Sequence, residues 1–256
     1  MEVSSIPGER PSGRAALRVC DFKVLSFDCY GTLIDWESGI AAALAPLAAR
    51  SPLQRSRDEI LESFARHESA QEAETPRLAY SALLARVYRR LAAEWDAAAD
   101  EAEADTFGGS VGDWPAFPDS AAALAYLKGF HKLVILSNVD GTSFAASAAR
   151  LGVCFDAIYT AEEIGSYKPD PRNFRHMLSA LAARGHRKSE ILHVAQSLFH
   201  DHMPANREGL ASAWIDRRQA ARGWGATMPP RAGVHWDFRF NSLAEFVEAH
   251  RRETGG

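Results

Sequence analysis

Short apolar runs alternate with helical patterns from Trp114 to the C-terminus, and this alternation restricts the fold more than any other feature of the sequence. An apolar run at 22–28 predicts a first strand. Further strands are predicted at 133–137, 157–160, 191–195 and 211–216. Helices are predicted at 120–128, 143–151, 173–184 and 242–251. Strands separated by helices form a parallel sheet covered on both faces, so the sequence predicts a doubly wound, Rossmann-like α/β fold.

Residues 37–112 have a different character, because they are rich in Ala, Arg and Glu and contain no strand-like run. Ser56 and Glu59 have the spacing of a capping box, which starts a helix. Apolar residues spaced by three and four predict another helix between positions 80 and 95. Two further helices are predicted at 38–49 and 100–107. The stretch is therefore predicted to be an all-helical cap, inserted after the first strand.

These patterns divide the chain into three parts. Residues 1–19 are predicted to be a loose polar leader, because they lack the apolar centre of a signal peptide. The α/β core is predicted to comprise residues 20–36 and 113–256. The cap domain is predicted to comprise residues 37–112, which lie between the two pieces of the core.

Composition and charge exclude several classes of function. The chain has 29 Lys and Arg against 33 Asp and Glu, a net charge of −4, so it lacks the basic surplus of a nucleic-acid-binding protein. No apolar run approaches the ~18 residues of a membrane span. Three cysteines are too few for a disulfide framework and indicate a reducing compartment. We therefore expect a cytoplasmic protein whose partner is a small molecule.

Polar side chains follow the predicted strands at the edge where a parallel sheet binds its ligands. They are Asp28 and Thr32 after the first strand, Ser137 and Asn138 after the second, Lys168 after the third, and Gln196 and Asp201 after the fourth. Each one alone is typical of a turn. A nucleophilic carboxylate, a hydroxyl group, an amide, a lysine and a second carboxylate at four strand ends together predict an active site.

The motifs at these strand ends resemble those of the haloacid dehalogenase-like hydrolase superfamily, from about Phe22 to the C-terminus. The first motif is Asp-x-x-Gly-Thr, here residues 28–32. Leu-Ser-Asn at 136–138 and Lys-Pro-Asp at 168–170 match the second and third motifs, and residues 196–201 occupy the fourth. A lone Asp-x-x-Gly-Thr is a weak signal, but the four motifs in this order and spacing are specific.

The branch of the superfamily depends on two positions. Its phosphatases carry a second Asp two residues after the nucleophile and an Asp in the fourth motif that holds Mg²⁺. This chain has Tyr30 and Gln196 there, although Asp28 and Asp201 still offer two carboxylates to a metal. Asp-x-Tyr-Gly-Thr followed by Ser-Asn is similar to the L-2-haloacid dehalogenases. That resemblance implies that the protein uses no metal and no other cofactor.

By this resemblance, Asp28 attacks the α-carbon of a short 2-haloalkanoic acid, and water then hydrolyses the aspartyl ester to the 2-hydroxy acid. Lys168 is predicted to keep Asp28 ionised with a low pKa. Thr32 and Ser137 would position Asp28 or the substrate carboxylate. Asn138 is predicted to hold the departing halide through its N–H groups.

The remaining site candidates follow from the same resemblance. Asp201 is predicted to orient or activate the hydrolytic water. Tyr30, Gln196 and Phe174 are predicted to contact the substrate, although characterised dehalogenases have a Tyr where this chain has Phe174. Their fourth-motif Ser and Asn align with Gln196 and Leu198. Candidates for their halide-binding cap arginine are Arg50, Arg55, Arg57 and Arg66. The histidines that flank Asp201, His200 and His202, are predicted to lie in a solvated turn.

Three other functions remain open at this stage. A Mg²⁺-dependent small-molecule phosphatase shares the fold. A non-catalytic binding protein that kept the fold would tolerate Gln196 and Leu198 in the fourth motif. Opening of a strained ring amino acid at its α-carbon is the same displacement chemistry, and a relative in this family performs it. The superfamily resemblance also implies a homodimer.

Overall fold

Within residues 17–219, 221 and 223–255, which this computed structural model describes, six parallel strands form one sheet in the order β3-β2-β1-β4-β5-β6. The strands are β1 Val24–Phe27, β2 Lys132–Ser137, β3 Ala157–Thr160, β4 Ile191–Ala195, β5 Ala211–Ile215 and β6 Phe238–Phe240. The sheet confirms the predicted doubly wound fold. The edge strand β6 was not predicted, because its three residues are only partly buried and show no longer apolar pattern.

Helices cover both faces of the sheet and form the cap. The core helices are α5 Ser120–Leu127, α6 Gly141–Leu151, α7 Ala161–Ile164, α8 Pro171–Ala183, α9 Met203–Glu208 and α10 Leu243–Thr254. The cap helices are α1 Trp36–Ala49, α2 Arg57–Glu74, α3 Tyr80–Glu94 and α4 Glu101–Gly109. All four cap helices lie between β1 and β2 in the sequence, as predicted.

Successive residues of each central strand point to opposite faces of the sheet. Leu25 and Phe27 of β1 pack with the α5, α6 and α10 side chains in one core cluster. Val24 belongs to a second cluster on the other face, which is built from residues of β2, α8 and α9. Both faces are therefore buried, and this explains why the strands read as continuous apolar runs rather than alternating ones.

The chain order around β1 decides where a ligand can bind. After β1 the chain forms β2 and β3 on one side, and then returns to form β4 and β5 on the other. The direction of winding therefore reverses at β1, which opens a crevice at the carboxyl end of this strand. Asp28 is the first residue after β1, so it lies at this reversal point.

Polar residues precede α2 and α5, but only one of them caps the helix that follows it. Ser56 caps α2, and Glu59 returns the hydrogen bond in the predicted capping box. Asp119 directly precedes α5, but its side chain makes no capping bond to that helix. Its Oδ2 atom instead accepts hydrogen bonds from Leu243 N and Arg217, so it stabilises the start of α10. Asp119 therefore stabilises a helix that is close to it in space rather than the helix that follows it in the sequence.

Residues 1–16 of the predicted loose leader lie outside the residues that the structure describes. Val19, its last residue, has a fully buried side chain and lies in a short turn beside α10. Among the helices of the described residues, none has the length and apolar character that a membrane span requires.

Candidate active site

Asp28 is held at the end of β1 by a tight turn. Its backbone N–H donates to the carbonyl of Val194 on the neighbouring strand β4. Gly31 has a φ of 89°, and a Cβ there would lie 2.9 Å from Trp36 Nε1, so the turn requires glycine. The turn brings the Thr32 hydroxyl back to Asp28 Oδ2, to which it donates at 2.7 Å. Thr32 Oγ1 in turn accepts from Gln196 N at 2.9 Å.

Lys168 lies between the two predicted catalytic carboxylates. Its Nζ atom donates to Asp28 Oδ1 at 2.9 Å, to Asp201 Oδ1 at 2.6 Å and to the carbonyl oxygen of Leu136 at 2.9 Å. All three of its N–H donors are therefore used. The lysine side chain is 1% exposed, so water does not screen these interactions. The structure thus brings together Asp28, Thr32, Lys168 and Asp201, as the sequence predicts.

Asp201 belongs to a buried chain of hydrogen bonds that the sequence did not reveal. Its Oδ1 atom lies 3.0 Å from His193 Nε2, and His193 Nδ1 lies 2.9 Å from Ser26 Oγ. Asp201 Oδ2 is buried and has no hydrogen-bond partner within the described residues. One oxygen of Asp201 is therefore fixed, while the other is available to a water molecule or a ligand.

The charges of the site act differently on its two carboxylates. Burial and the nearby Asp201 raise the pKa of Asp28 above its ordinary value, although the ammonium of Lys168 opposes this. Burial also works to raise the pKa of Asp201, but Lys168 and His193 together hold it below its ordinary value. The prediction that Lys168 gives Asp28 a low pKa is therefore wrong, because burial outweighs the attraction of an ammonium that Asp28 shares with Asp201.

A small, partly open cavity of about 30 Å³ lies above Asp28, between the core and the cap. Its lining includes Asp28, Tyr30, Trp36, Glu68, Glu72, Tyr80, Asn138, Val139, Lys168, Ser197, His200 and Asp201. A water molecule needs about 10–15 Å³ of such a volume, so the cavity has room for about two water-sized groups.

The cap contributes two carboxyl groups to this cavity, both from α2. Glu68 and Glu72 are 3% and 6% exposed. Glu68 Oε1 accepts from the Tyr80 hydroxyl at 2.5 Å, and Glu72 Oε1 accepts from Asn138 Nδ2 at 2.9 Å. Burial raises the pKa of Glu68 to about 8. Burial and the neighbouring Glu68 raise the pKa of Glu72 well above its ordinary value.

His200 lines the cavity from the core side. It lies in a single π-helical turn, Leu198–His202, and its Nε2 atom is 3.8 Å from Glu72 Oε2. Burial lowers the pKa of His200 to about 4, so the imidazole is neutral at pH 7. His202 is fully buried and lies 3.0 Å from Ser212 Oγ. The predicted solvated turn is therefore wrong, since both histidines are internal.

Asn138 cannot hold a halide in this arrangement. Its two N–H hydrogens already point to Glu72 Oε1 and to the Lys168 carbonyl, each at 2.9 Å. Its oxygen accepts from Lys168 N at 2.6 Å. Asn138 therefore fixes the backbone of Lys168 and connects the core to the cap, and the predicted halide contact requires a donor that is not free.

Tyr30 and Ser137 differ in their relation to the cavity. Tyr30 lines it, with its hydroxyl 2.9 Å from Ser147 Oγ on α6 and its ring edge-on to Trp114. Ser137 ends β2, and its buried hydroxyl has no hydrogen-bond partner within the described part of the chain. The position of Tyr30 is compatible with the predicted contact to substrate, whereas Ser137 is not among the residues that line the cavity.

Gln196 and Phe174 do not face the cavity above Asp28. The side chain of Gln196 lines a larger neighbouring cavity of about 440 Å³, on the far side of Gly31. Phe174 is fully buried against His193, with the ring centroids 4.9 Å apart, in the layer behind the sheet. The predicted contacts of these two residues with the substrate do not agree with their positions.

The four candidate cap arginines lie elsewhere. Arg50 pairs with Glu103, Arg57 with Glu37 and Arg66 with Glu94, and Arg55 lies over the ring of Trp95. None of them lines the cavity. Within the described residues, Lys168 is the one basic side chain of the cavity lining that carries a fixed charge.

A divalent cation fits these residues poorly. The two carboxylates that could hold it, Asp28 and Asp201, already share the ammonium of Lys168 at 2.9 and 2.6 Å. Tyr30 supplies no carboxylate to complete an oxygen set. No group of three or more His, Cys, Asp or Glu side chains with the geometry of a metal site occurs in the residues that the structure describes.

Sequence patterns could have revealed the cap carboxyl groups. Ile60 and Phe64 lie on the buried face of α2, and positions 68 and 72 continue that face at intervals of four. Two glutamates on the apolar stripe of a helix are unusual and could have been selected as site candidates. The partner residues Tyr80, Ser197 and His200 carry no comparable signal, because only the tertiary fold brings them to the cavity.

Comparison with known proteins agrees with the sequence motifs. A sequence model of the haloacid dehalogenase-like hydrolase family matches residues 22–195. No match to the sequence of a curated protein was found.

Solved structures of similar fold include several dehalogenases. An L-2-haloacid dehalogenase is 24% identical, with a TM-score of 0.71, and the match covers 92% of this chain and 100% of the other. A defluorinating L-2-haloacid dehalogenase is 22% identical, with a TM-score of 0.69 and coverage of 93% and 100%. The L-2-haloacid dehalogenase of Xanthobacter autotrophicus, solved with chloropropionic acid covalently bound, is 20% identical, with a TM-score of 0.71 and coverage of 90% and 98%.

Proposed function

Because the chain belongs to the haloacid dehalogenase-like hydrolase family, we propose that it hydrolyses a small molecule through an ester of Asp28, as a 2-haloacid dehalogenase does. One observation supports this most directly. Asp28 is buried and lines the cavity, with Lys168 Nζ at 2.9 Å from Oδ1 and the Thr32 hydroxyl at 2.7 Å from Oδ2. Both contacts stabilise the ionised carboxylate, which is the form that acts as a nucleophile.

The proposed reaction has two steps. In the first, an Asp28 carboxylate oxygen forms a bond to C2 of a short 2-haloalkanoic acid, and the carbon–halogen bond breaks as the halide takes the electron pair. In the second, water adds to the side-chain carbonyl carbon of Asp28. The ester bond then breaks to give the 2-hydroxy acid, the Asp28 carboxylate and one proton. The covalent chloropropionic acid in the Xanthobacter autotrophicus structure supports a first step of this kind.

Asp201 is suited to the second step. Lys168 and His193 fix its Oδ1 atom, whereas Oδ2 has no partner within the described residues. A water molecule placed beside Oδ2 would be oriented by a carboxylate that is itself held rigidly. The low pKa of Asp201 keeps it ionised and makes it a positioning group more than a strong base.

The charge balance of the site supports catalysis without a metal. Lys168 neutralises part of the charge on Asp28 and Asp201, which is the electrostatic role that a divalent cation would otherwise have. Tyr30 lies where the phosphatases of the superfamily carry their second Asp. These features favour displacement at carbon over the Mg²⁺-dependent phosphatase reaction.

Halide release from 2-chloropropionate, 2-bromopropionate and 2-fluoropropionate tests this function. We expect release with at least one of these acids, undiminished by exhaustive treatment with EDTA. Added Mg²⁺ should change kcat by less than tenfold, or about 1.4 kcal/mol in the barrier. Strict Mg²⁺ dependence with faster turnover of phosphate esters would indicate a phosphatase. Turnover of neither substrate class would indicate a binding protein.

The path of oxygen tests the covalent intermediate. In a single turnover in ¹⁸O-water with excess enzyme, the product oxygen should come from Asp28, so the hydroxy acid should be unlabelled. The peptide containing Asp28 should then carry ¹⁸O, and later turnovers should release labelled product. Direct attack by water would label the product in the first turnover and leave the Asp28 peptide unlabelled. Mass spectrometry of product and peptide separates the two routes.

A further inference from the structure

The cavity above Asp28 contains more acidic than basic groups. Four of its lining residues are carboxylic acids, and within the described residues Lys168 is their one cationic neighbour in the lining. The ammonium of Lys168 is fully used by Asp28, Asp201 and a backbone carbonyl. Glu68 and Glu72 therefore have no lysine or arginine within ion-pair distance in the part of the chain that the structure describes.

Packing and hydrogen bonding within the protein do not require these two acids. Glu68 accepts one bond from Tyr80, and Glu72 accepts one from Asn138. A glutamine at either position would accept the same bond without the cost of burying an ionisable carboxyl group. Both side chains are nevertheless more than nine-tenths buried beside the nucleophile. The carboxyl groups of Glu68 and Glu72 are therefore suited to bind a ligand that enters the cavity.

His200 provides an independent observation at the same place. The residue is 7% exposed and lines the cavity, and its Nε2 atom has no hydrogen-bond partner within the described residues. Nδ1 lies 3.2 Å from Ser197 Oγ. In the tautomer that donates from Nδ1 to Ser197, Nε2 is an acceptor 3.8 Å from Glu72 Oε2. A buried acceptor without a partner, next to two carboxyl groups, indicates a ligand rich in N–H donors.

We propose that Glu68, Glu72 and His200 form a recognition site for a protonated amine on the substrate. An ammonium group has three N–H donors, and these three side chains offer one acceptor each. The rings of Trp36 and Tyr80 line the same cavity and favour a cation over an anion. The cavity volume of about 30 Å³ accommodates a group of about two heavy atoms.

This inference rests on the proposed function, since it concerns the substrate on which Asp28 acts. It narrows that substrate to a molecule whose end facing the cap carries a protonated amine. The inference also explains why none of the candidate cap arginines lines this cavity. An arginine there would repel the ammonium, whereas a bound ammonium would lower the raised pKa values of the two glutamates and so favour their ionised, attracting form.

Methylammonium is a suitable probe, because it has two heavy atoms and one charge. Thermal unfolding followed by circular dichroism should show a saturable rise in Tm with methylammonium chloride, compared with sodium chloride at equal ionic strength. A rise of about 3 °C is expected at ten times the dissociation constant. Sodium acetate should give no such rise. Glu72→Gln and Glu68→Gln should each weaken methylammonium binding at least tenfold, whereas Glu62→Gln, an exposed change on the same helix, should not.

A wild-type Tm that is equal in methylammonium chloride and sodium chloride would overturn the proposal, and this measurement needs no variant to fold. Retention of wild-type affinity in Glu72→Gln would also overturn it. Exposure to 2-bromopropionate and to 3-amino-2-bromopropionate, which carries the amine, followed by mass analysis of the Asp28 peptide, separates this test from that of the reaction. An Asp28 ester without methylammonium binding would refute the amine site alone. Methylammonium binding without an Asp28 ester from either acid would support the amine site and refute the reaction.

Discussion

Replacement of Asp28 by Asn is expected to abolish turnover, with kcat lowered on the order of 10⁴-fold or more. The amide retains the size of the carboxylate but not its nucleophilic oxygen, so the first bond to carbon cannot form. Stability should be unchanged or higher, because burial raises the pKa of Asp28 and so disfavours its charged form in the folded protein. Halide release and thermal unfolding at pH 7 measure the two effects.

Asp113→Asn is the matched control for this change. Asp113 ends a short turn next to α4, and its side chain is 91% exposed. The same removal of one carboxylate there should leave both kcat and Tm close to those of the wild type. Near wild-type turnover by Asp28→Asn would refute the aspartyl-ester mechanism for any substrate, whether or not it carries an amine.

Replacement of Lys168 by Met is expected to impair both folding and catalysis. Methionine fills a similar volume but leaves Asp28 and Asp201 buried without their shared ammonium. Loss of one partner of a buried ion pair costs about 3–5 kcal/mol. Catalysis should fall at least a hundredfold, since the two carboxylates would then repel each other and the anionic nucleophile would lose its neutralising partner. Urea unfolding at pH 7 measures the stability change.

Replacement of an exposed lysine serves as the control for the unfolding measurement on Lys168→Met. Lys23 pairs with Glu190 at 2.8 Å, but its side chain is 66% exposed. Lys23→Met should therefore change the free energy of unfolding by less than about 1 kcal/mol. If Lys168→Met were as stable as Lys23→Met and retained full activity, the buried ion pairs would have neither a structural nor a catalytic role.

The sequence predicted the sheet well because the burial of its central strands is unusually complete. Strand β4 was predicted at its observed bounds, since apolar residues occupy both of its faces. The edge strand β3 was also predicted at its observed bounds, because glycines mark the ends of the neighbouring helices. The four motif residues Asp28, Thr32, Lys168 and Asp201 also meet as predicted. They follow the ends of β1, β3 and β4, and the parallel topology brings such positions to the same edge of the sheet.

Features that depend on long-range packing were not predicted. Glu68 and Glu72 lie in the cap, far in sequence from every motif, and only their place on the buried face of α2 distinguishes them. Asn138 has the expected position, but its N–H groups are occupied by Glu72 and a backbone carbonyl. Local patterns identify which elements form, whereas the partners of a buried polar group depend on which elements meet.

The position of the cavity beneath the cap affects how substrate enters and how product leaves. The cavity above Asp28 lies beneath α2, so an outward movement of the cap that widens it acts on the bonds between cap and core. That movement breaks the bond between Asn138 and Glu72, and those from Ser81 N to Asp140 and from the Tyr167 hydroxyl to Leu78. These three bonds therefore resist the widening of the cavity, so weakening them should change how fast substrate enters and product leaves.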